Sequence, residues 1–290
     1  MSGESGEAKS APLRLALIQF HANSHDRAGN VERACAEIDR ACAGAAGKPD
    51  LLILPELFNV EYFPQHRDWS YMRYAEPADG PTMVAICERA RRHGVYVVAP
   101  IFEAAAPGHY YDSAMLVGPD GTIVMKYRKT HPAAMESLEK IYFRPGSRFP
   151  VFTLPNGWKV GAIICYDAYF PEAARSVALN GADLLVIPFA GGTMHHWYDL
   201  LGVRAFENLL YVAACNKVGV EDGQPFGGRS CVFDPLGKLV STASGDREET
   251  LIVSIDRAQV WDARRRYTMY RDRRPDLYGV LVTEPEELDD

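Results

Sequence analysis

Three residues close apolar, strand-like runs and carry side chains that can do chemistry: Glu56, Lys129 and Cys165. Glu56 ends Leu51-Leu52-Ile53-Leu54-Pro55-Glu56. A carboxylate there sits at the mouth of a sheet, where α/β proteins place their sites, and apolar surroundings raise its pKa towards that of a general base. Lys129, in Tyr127-Arg128-Lys129-Thr130-His131, follows a strand directly, and a buried ammonium could hold a developing oxyanion. Cys165 ends Val160-Gly161-Ala162-Ile163-Ile164-Cys165, just ahead of a helix expected from Pro171. Such an elbow lifts a nucleophilic sulfur above a sheet and sets free backbone N–H groups beside it. Each residue alone also fits a plainer role: a solvated strand-end Glu, a surface basic cluster, a structural Cys.

The elements that must position these residues alternate. Leu13 to Phe20 reads as a strand, and Val31, Ala34, Cys35, Ile38 and Cys42 mark one face of a helix. Leu51 to Leu54 has the unbroken apolar character of a strand covered on both faces. Met83, Ile86, Cys87 and Ala90 predict a second helix, opened by Pro81 and stopped near Gly94. Val95 to Ile101, Ser113 to Val117 and Thr122 to Tyr127 are further strands, the last two joined through Pro119-Asp120-Gly121. The pattern then restarts: strand Trp158 to Ile164, helix Pro171 to Leu179, strand Asp183 to Pro188, helix Trp197 to Leu209, strand Leu210 to Asn216. Cys231 to Asp234 and Leu239 to Thr242 repeat the strand-turn-strand ending, and Leu251 to Ile255 closes the set. Asp50 to Pro55 (DLLILP) echoes Asp183 to Pro188 (DLLVIP), which fits either an internal duplication or two buried strands of like composition. No low-complexity linker divides the chain, so one domain over 12–283 is expected, with tails at 1–11 and 284–290.

Composition narrows the function classes. The 290 residues carry 31 Lys+Arg against 38 Asp+Glu, a net charge of −7, which argues against a nucleic-acid partner. No apolar run approaches the ~18 residues that span a bilayer, so no membrane association is expected. The polar, acidic N-terminus lacks the pattern of a secretory signal, making a cytoplasmic address the default. The six cysteines form no CxxC pair and read as reduced thiols. His195-His196 is the one pair that suggests a metal, but adjacent residues rarely chelate together and no acid has suitable spacing, so neither metal nor cofactor is expected.

The segments PELF, YRKTH and GAIICYDAYFPE, in that order, resemble the nitrilase superfamily of carbon–nitrogen hydrolases. The resemblance extends through LALIQF, AEPADGPT, EKIYFRPGS, GADLLVIPFA, RAFENLLYVAACNKVG, GGRSCVFDPLG and YRDRRPDLYG, nearly the whole chain. It implies an α/β fold, a four-layer αββα sandwich with an internal pseudo-twofold. It also implies a Glu–Lys–Cys triad that maps onto Glu56, Lys129 and Cys165. A second family glutamate matches Glu139, in Leu138-Glu139-Lys140-Ile141-Tyr142-Phe143, with Glu136 as the rival, and would orient Lys129 and the substrate nitrogen. The chemistry would be thiolate attack on an amide or ureido carbonyl of a small molecule, with Lys129 and the N–H of Tyr166 holding the oxyanion. A homodimer or larger homo-oligomer is usual for the family.

The residues after the cysteine separate branches. Tyr166-Asp167 looks like the amidase and carbamoylase branches rather than the nitrile-cleaving members, and CYDAYFPE is most similar to the carbamoyl-amine branch. The arginine with which carbamoyl amino acid hydrolases pair a substrate carboxylate is replaced by Ala168-Tyr169-Phe170, although Arg144, Arg175 or Arg204 could substitute. Asp167 or Glu172 could instead attract the cationic or neutral amine tail that suits this branch, or both could be structural, Glu172 through its place in a helix's first turn. An ω-amidase or other aliphatic amidase and an N-carbamoyl amino acid hydrolase are the alternatives. Arg204, Glu207 and Asn208 match a helix that supports the site and the usual dimer interface, or form a plain polar face. Tyr62, Phe63, Tyr166, Ala190 and the 191–197 loop from Gly191 are candidates to line the pocket.

Overall fold

In a computed structural model the described residues are 11–192 and 196–283. The expected tails, Ala11 aside, and His195 of the candidate metal pair lie outside them, as do Thr193 and Met194 of the 191–197 loop. The elements in chain order are β1 (Leu13–Gln19), α1 (Arg27–Ala43), β2 (Leu51–Ile53), α2 (Pro81–His93), β3 (Tyr96–Ala106), β4 (His109–Val117), β5 (Ile123–Arg128) and α3 (Glu139–Tyr142). They continue as β6 (Val151–Thr153), β7 (Lys159–Ala162), α4 (Pro171–Leu179), β8 (Leu184–Phe189), α5 (Trp197–Asn208) and β9 (Tyr211–Asn216). The last are β10 (Val218–Glu221), β11 (Gln224–Gly227), β12 (Cys231–Phe233), β13 (Leu239–Thr242), β14 (Glu249–Ile255) and α6 (Arg257–Arg266).

Two six-stranded sheets run in the orders β14-β1-β2-β3-β4-β5 and β6-β7-β8-β9-β12-β13. In each, three central strands are parallel, two antiparallel strands extend one side, and one antiparallel strand guards the other. The two orders superimpose strand for strand, so the topology carries the repeat at which the DLLILP and DLLVIP segments hint.

Side-chain alternation along β1 explains the layers. Leu13, Leu15 and Leu17 point into the core shared with the second sheet, while Ala16 and Ile18 face the cluster formed with Ala34, Cys35 and Ile38 of α1 and Met83, Ile86 and Ala90 of α2. Helices therefore cover the outside and apolar faces meet in the middle, an αββα sandwich. The Cys215 thiol crosses that middle, donating to the carbonyls of Ile18 and Ile53 at 3.4 and 3.3 Å. Each fully buried Leu or Ile in this core contributes roughly 1.5–3 kcal/mol. The helix boundaries follow local chemistry: Asp26 caps α1 by accepting from Gly29 N, Pro81 and Pro171 occupy first turns, and Gly94 ends α2 at φ +59°.

Five elements escape the sequence pattern. The β10–β11 hairpin and β6 are short, and α3 has a single turn. Helix α6 (RAQVWDARRR) buries only Val260 and Ala263, too few apolar positions to show a period. One strand is shorter than expected: β7 stops at Ala162, and the chain from Ile164 turns into a 3-10 segment over Cys165–Tyr169.

Candidate active site

The nucleophile candidate sits on a bent backbone. Cys165 has φ +44°, a left-handed conformation that an L residue adopts only under local constraint. The constraint is Asp167, whose side chain accepts from Ile164 N at 2.9 Å and ties the turn back on itself. The same carboxylate accepts from Tyr127 Oη at 2.6 Å, Thr130 Oγ1 at 2.8 Å and His131 N at 2.9 Å. It thereby fastens the cysteine turn to the segment that carries Lys129. The Asp167 side chain is fully buried and spent on these donors, so it is not available to attract a cationic substrate tail. Arg204, reaching from α5, donates to the carbonyls of Ala168 and Tyr169 at 2.8 and 3.1 Å and clamps the turn from the other side.

Glu56 and Lys129 follow the ends of β2 and β5. Leu57 takes φ +50°, so the chain turns sharply after Glu56. Lys129 N donates to Asp112 O at 2.9 Å, extending the sheet ladder by one residue, and its carbonyl accepts from Gly146 N at 2.8 Å. A Cβ at Gly146 would run into the Arg128 carbonyl oxygen, so only glycine lets this loop lie on the Lys129 backbone. The Lys129 ammonium is 2.6 Å from Glu56 Oε1 and 2.7 Å from Glu139 Oε2, and all three side chains are fully buried. Glu139 also accepts from Tyr62 Oη at 2.6 Å and Ala133 N at 2.8 Å. Its rival Glu136 is exposed, with φ +53°.

Electrostatics assign the protons. Burial works against the Lys129 ammonium, yet Glu139 and Glu56 hold its pKa well above the ordinary lysine value. Burial, offset by Lys129 and reinforced by Glu139, raises Glu56 above the usual carboxylate range, towards general-base strength. Burial and the Glu56 charge push the Cys165 thiol well up, against Lys129. The resting sulfur is therefore a thiol and needs a base to become a nucleophile.

The backbone N–H of Ala190 faces the Cys165 sulfur, and Tyr166, at the start of the 3-10 turn, has an N–H outside that turn's hydrogen-bond ladder. Gly191 is gripped by Asn216, which accepts from Gly191 N at 2.9 Å and donates to Gly191 O at 3.0 Å. A pocket of about 510 Å³ opens beside the nucleophile turn, lined by Thr130, His131, Lys140, Phe143, Tyr166 and Phe170 among others. Arg175 donates to Glu207 O, and Arg144 is exposed beside a separate hollow near Trp69 and Tyr110. None of the three arginines offered as a carboxylate partner lines this pocket.

The oxygens of Glu56, Asp112 and Glu139 lie within 4.8 Å of one another, a spacing that could hold a metal ion. Lys129 Nζ already fills that position, within 3.5 Å of a carboxylate oxygen of each. The cage is built round an ammonium.

The carbon-nitrogen hydrolase family profile matches residues 14–265. The protein belongs to this family. It is a carbon-nitrogen hydrolase of the nitrilase superfamily, and the αββα fold belongs with it. N-carbamoylputrescine amidase of Solanum lycopersicum is 35% identical, over 95% of this chain and 96% of its own. A carbon-nitrogen hydrolase from Helicobacter pylori G27 superposes with a TM-score of 0.88 at 30% identity, over 95% of this chain and 99% of its own. A variant of the amidase from Nesterenkonia sp. AN1, solved with the acetamide moiety of fluoroacetamide added covalently at its active-site cysteine, has a TM-score of 0.79 at 27% identity, over 96% and 98% of the two chains.

Sequence reasoning on this hydrolase missed Asp112, Asn216 and the clamping role of Asp167. Asn216 ends an apolar run, the signal that found Glu56 and Cys165. The Asp167 donors come from separate segments and leave no mark in the sequence.

Proposed function

We propose that the protein releases ammonia from N-carbamoyl amines or small linear amides through a covalent Cys165 intermediate. The observation that carries this reading is the buried Glu56–Lys129–Glu139 set, Lys129 bridging the two acids at 2.6 and 2.7 Å, beside a thiol that needs a base. Glu56 takes the proton from Cys165 as Sγ bonds to the carbonyl carbon. Lys129 and the N–H of Tyr166 face the oxygen that becomes negative. When the carbon–nitrogen bond breaks, Glu56 returns that proton to the nitrogen, which leaves as ammonia. A water then gives its proton to Glu56 as it attacks the thioester or S-carbamoyl carbon, and the sulfur leaves and recovers a proton. A carbamoyl amine thus ends as amine and carbon dioxide, an amide as its carboxylic acid.

Glu139 orients Lys129 and the substrate nitrogen in this scheme, while Tyr62, Tyr166, Ala190 and Gly191 line the substrate's place. The pocket beside Tyr166 has aromatic walls, and among the described residues that line it there is no carboxylate while Lys140 supplies a cation. Of the cationic or neutral amine tail that the CYDAYFPE segment suggests, these walls favour the neutral one. The chain is further proposed to assemble with its own copies. Val203 and Phe206 on α5 are exposed apolar side chains that support this reading, and light scattering after size exclusion tests it.

The functional test is ammonia release from N-carbamoylputrescine, N-carbamoyl-β-alanine, N-carbamoyl-D- and L-amino acids, glutaramate, a neutral aliphatic amide and a nitrile, with carbon dioxide measured alongside. Carbamoyl-amine or amide cleavage supports the proposal. Turnover of the nitrile alone overturns it.

A further inference from the structure

Three buried carboxyl groups surround one ammonium: Glu56, Asp112 and Glu139 about Lys129, all fully buried. If all were ionised, the cage would hold two uncompensated negative charges away from water, which is far costlier than keeping a proton on one of them. Glu139 is ionised, because it accepts from Lys129, Tyr62 Oη and Ala133 N. Glu56 Oε1 takes the Lys129 hydrogen bond. Three oxygens remain: Glu56 Oε2 and both carboxyl oxygens of Asp112 are buried and receive no hydrogen bond from any donor among the described residues. Lys129 Nζ stands 3.5 Å from Asp112 Oδ2, beyond a good bond. Carboxyl oxygens of Asp112 and Glu56 lie within 4.8 Å of each other in this cage. Two buried carboxylates this close, with no donor on these oxygens, repel each other unless one of them holds a proton.

We propose that Asp112 holds this proton and donates it to Oε2 of Glu56, and so acts as the positioning residue of the base. Burial and the Glu56 charge raise the Asp112 carboxyl well above its ordinary range, in agreement with a protonated group. The hydrogen bond fixes the Glu56 carboxylate from the side opposite Lys129 and favours its charged form, so that it can accept the Cys165 proton. Asp112 keeps its own proton throughout. The groups that face it are Glu56, Lys129 and Glu139, and any change of charge on these acts on the same equilibrium.

The proposal rests on Glu56 being the base, and the experiment separates the two. Alkylation of Cys165 by iodoacetamide is followed against pH by peptide mass, so no knowledge of the substrate enters. Glu56→Gln slows it about 100-fold or more near neutrality if Glu56 is the base; an unchanged profile refutes that reading. Asp112→Leu, of similar shape but without a donor, shifts the acid limb of the profile up by about one unit, a tenfold slower rate at low pH. Asp112→Asn, which can still donate, shifts it by less than half as much. A limb unmoved in Asp112→Leu, or moved equally in both variants, overturns the proposal. If Asp112→Leu does not fold, infrared difference spectra of wild type minus Asp112→Asn decide. One carboxylic acid carbonyl band at neutral pH, sensitive to deuteration, is expected, and its absence overturns the proposal.

Discussion

Glu139→Gln separates the account from one in which only Glu56, Lys129 and Cys165 matter. Glutamine keeps the shape but removes the charge and one acceptor oxygen. In the wild type that carboxylate serves Lys129 at 2.7–2.8 Å, Tyr62 Oη at 2.6 Å and Ala133 N at 2.8 Å. A single amide oxygen cannot satisfy donors that reach both carboxylate oxygens, and its NH₂ would oppose one of them. Lys129 then swings towards Glu56 and away from the oxygen it must stabilise. Misplacing one preorganised oxyanion donor costs about 10²–10³-fold in turnover, or about 2.7–4 kcal/mol. Loss of the Glu139 charge also removes a repulsion that raises Glu56, so the acid limb of the kcat/KM profile moves to lower pH. The assay is steady-state ammonia release across pH, with thermal unfolding as the control for folding and the exposed Glu136→Gln as the comparison. A folded Glu139→Gln protein within threefold of wild type, or one matched by Glu136→Gln, would refute the reasoning.

Other perturbations test the frame around the site. Asp167→Ala strands four donors from two segments and should cost about 3–5 kcal/mol, read as a drop in Tm of roughly 6–20 °C; a shift under 2 °C contradicts the clamp. Burial works against the charge on Glu103, but hydrogen bonds from Arg128, Lys126 and Ser113 lower its pKa to about 2. The stability it supplies is present above the unfolded value near 4.5, is lost as pH falls from there towards 2, and amounts to about 2 kcal/mol after screening by solvent at the partly exposed cations. Denaturant unfolding of Glu103→Gln should therefore be flatter than wild type over that window, and parallel curves would contradict it. Prolonged chelation should leave ammonia release unchanged, because Lys129 fills the carboxylate cage; loss restored by a divalent ion would show the cage was misread.

The legible part of this protein is the part made of contiguous patterns. Leu51–Leu54 and Val160–Ile164 are unbroken apolar runs, so the residues that end them stand out, and the helix faces of α1 and α2 repeat at helical spacing. The illegible part depends on groups that meet only after folding. Asp112 follows Tyr110-Tyr111 in β4 and looks like an ordinary strand residue, because its partners Glu56 and Glu139 arrive from the segment after β2 and from α3. Asp167 reads as a pocket acid for the same reason: its four donors come from positions 127, 130, 131 and 164. Arg204 fits on the sequence either a helix that supports the site or a plain polar face, and the fold adds which groups it holds, the carbonyls of Ala168 and Tyr169 behind the nucleophile.

The central claim is that Cys165 carries the acyl or carbamoyl group during turnover. The most direct test is rapid acid quench of the enzyme with its best substrate, followed by peptide mass measurement, in wild type and Cys165→Ala. The account predicts an adduct of the substrate-derived mass on the Cys165 peptide alone, decaying as ammonia accumulates, and a folded Cys165→Ala protein with neither adduct nor turnover. An adduct on another residue, or ammonia release by Cys165→Ala at the wild-type rate, would contradict it.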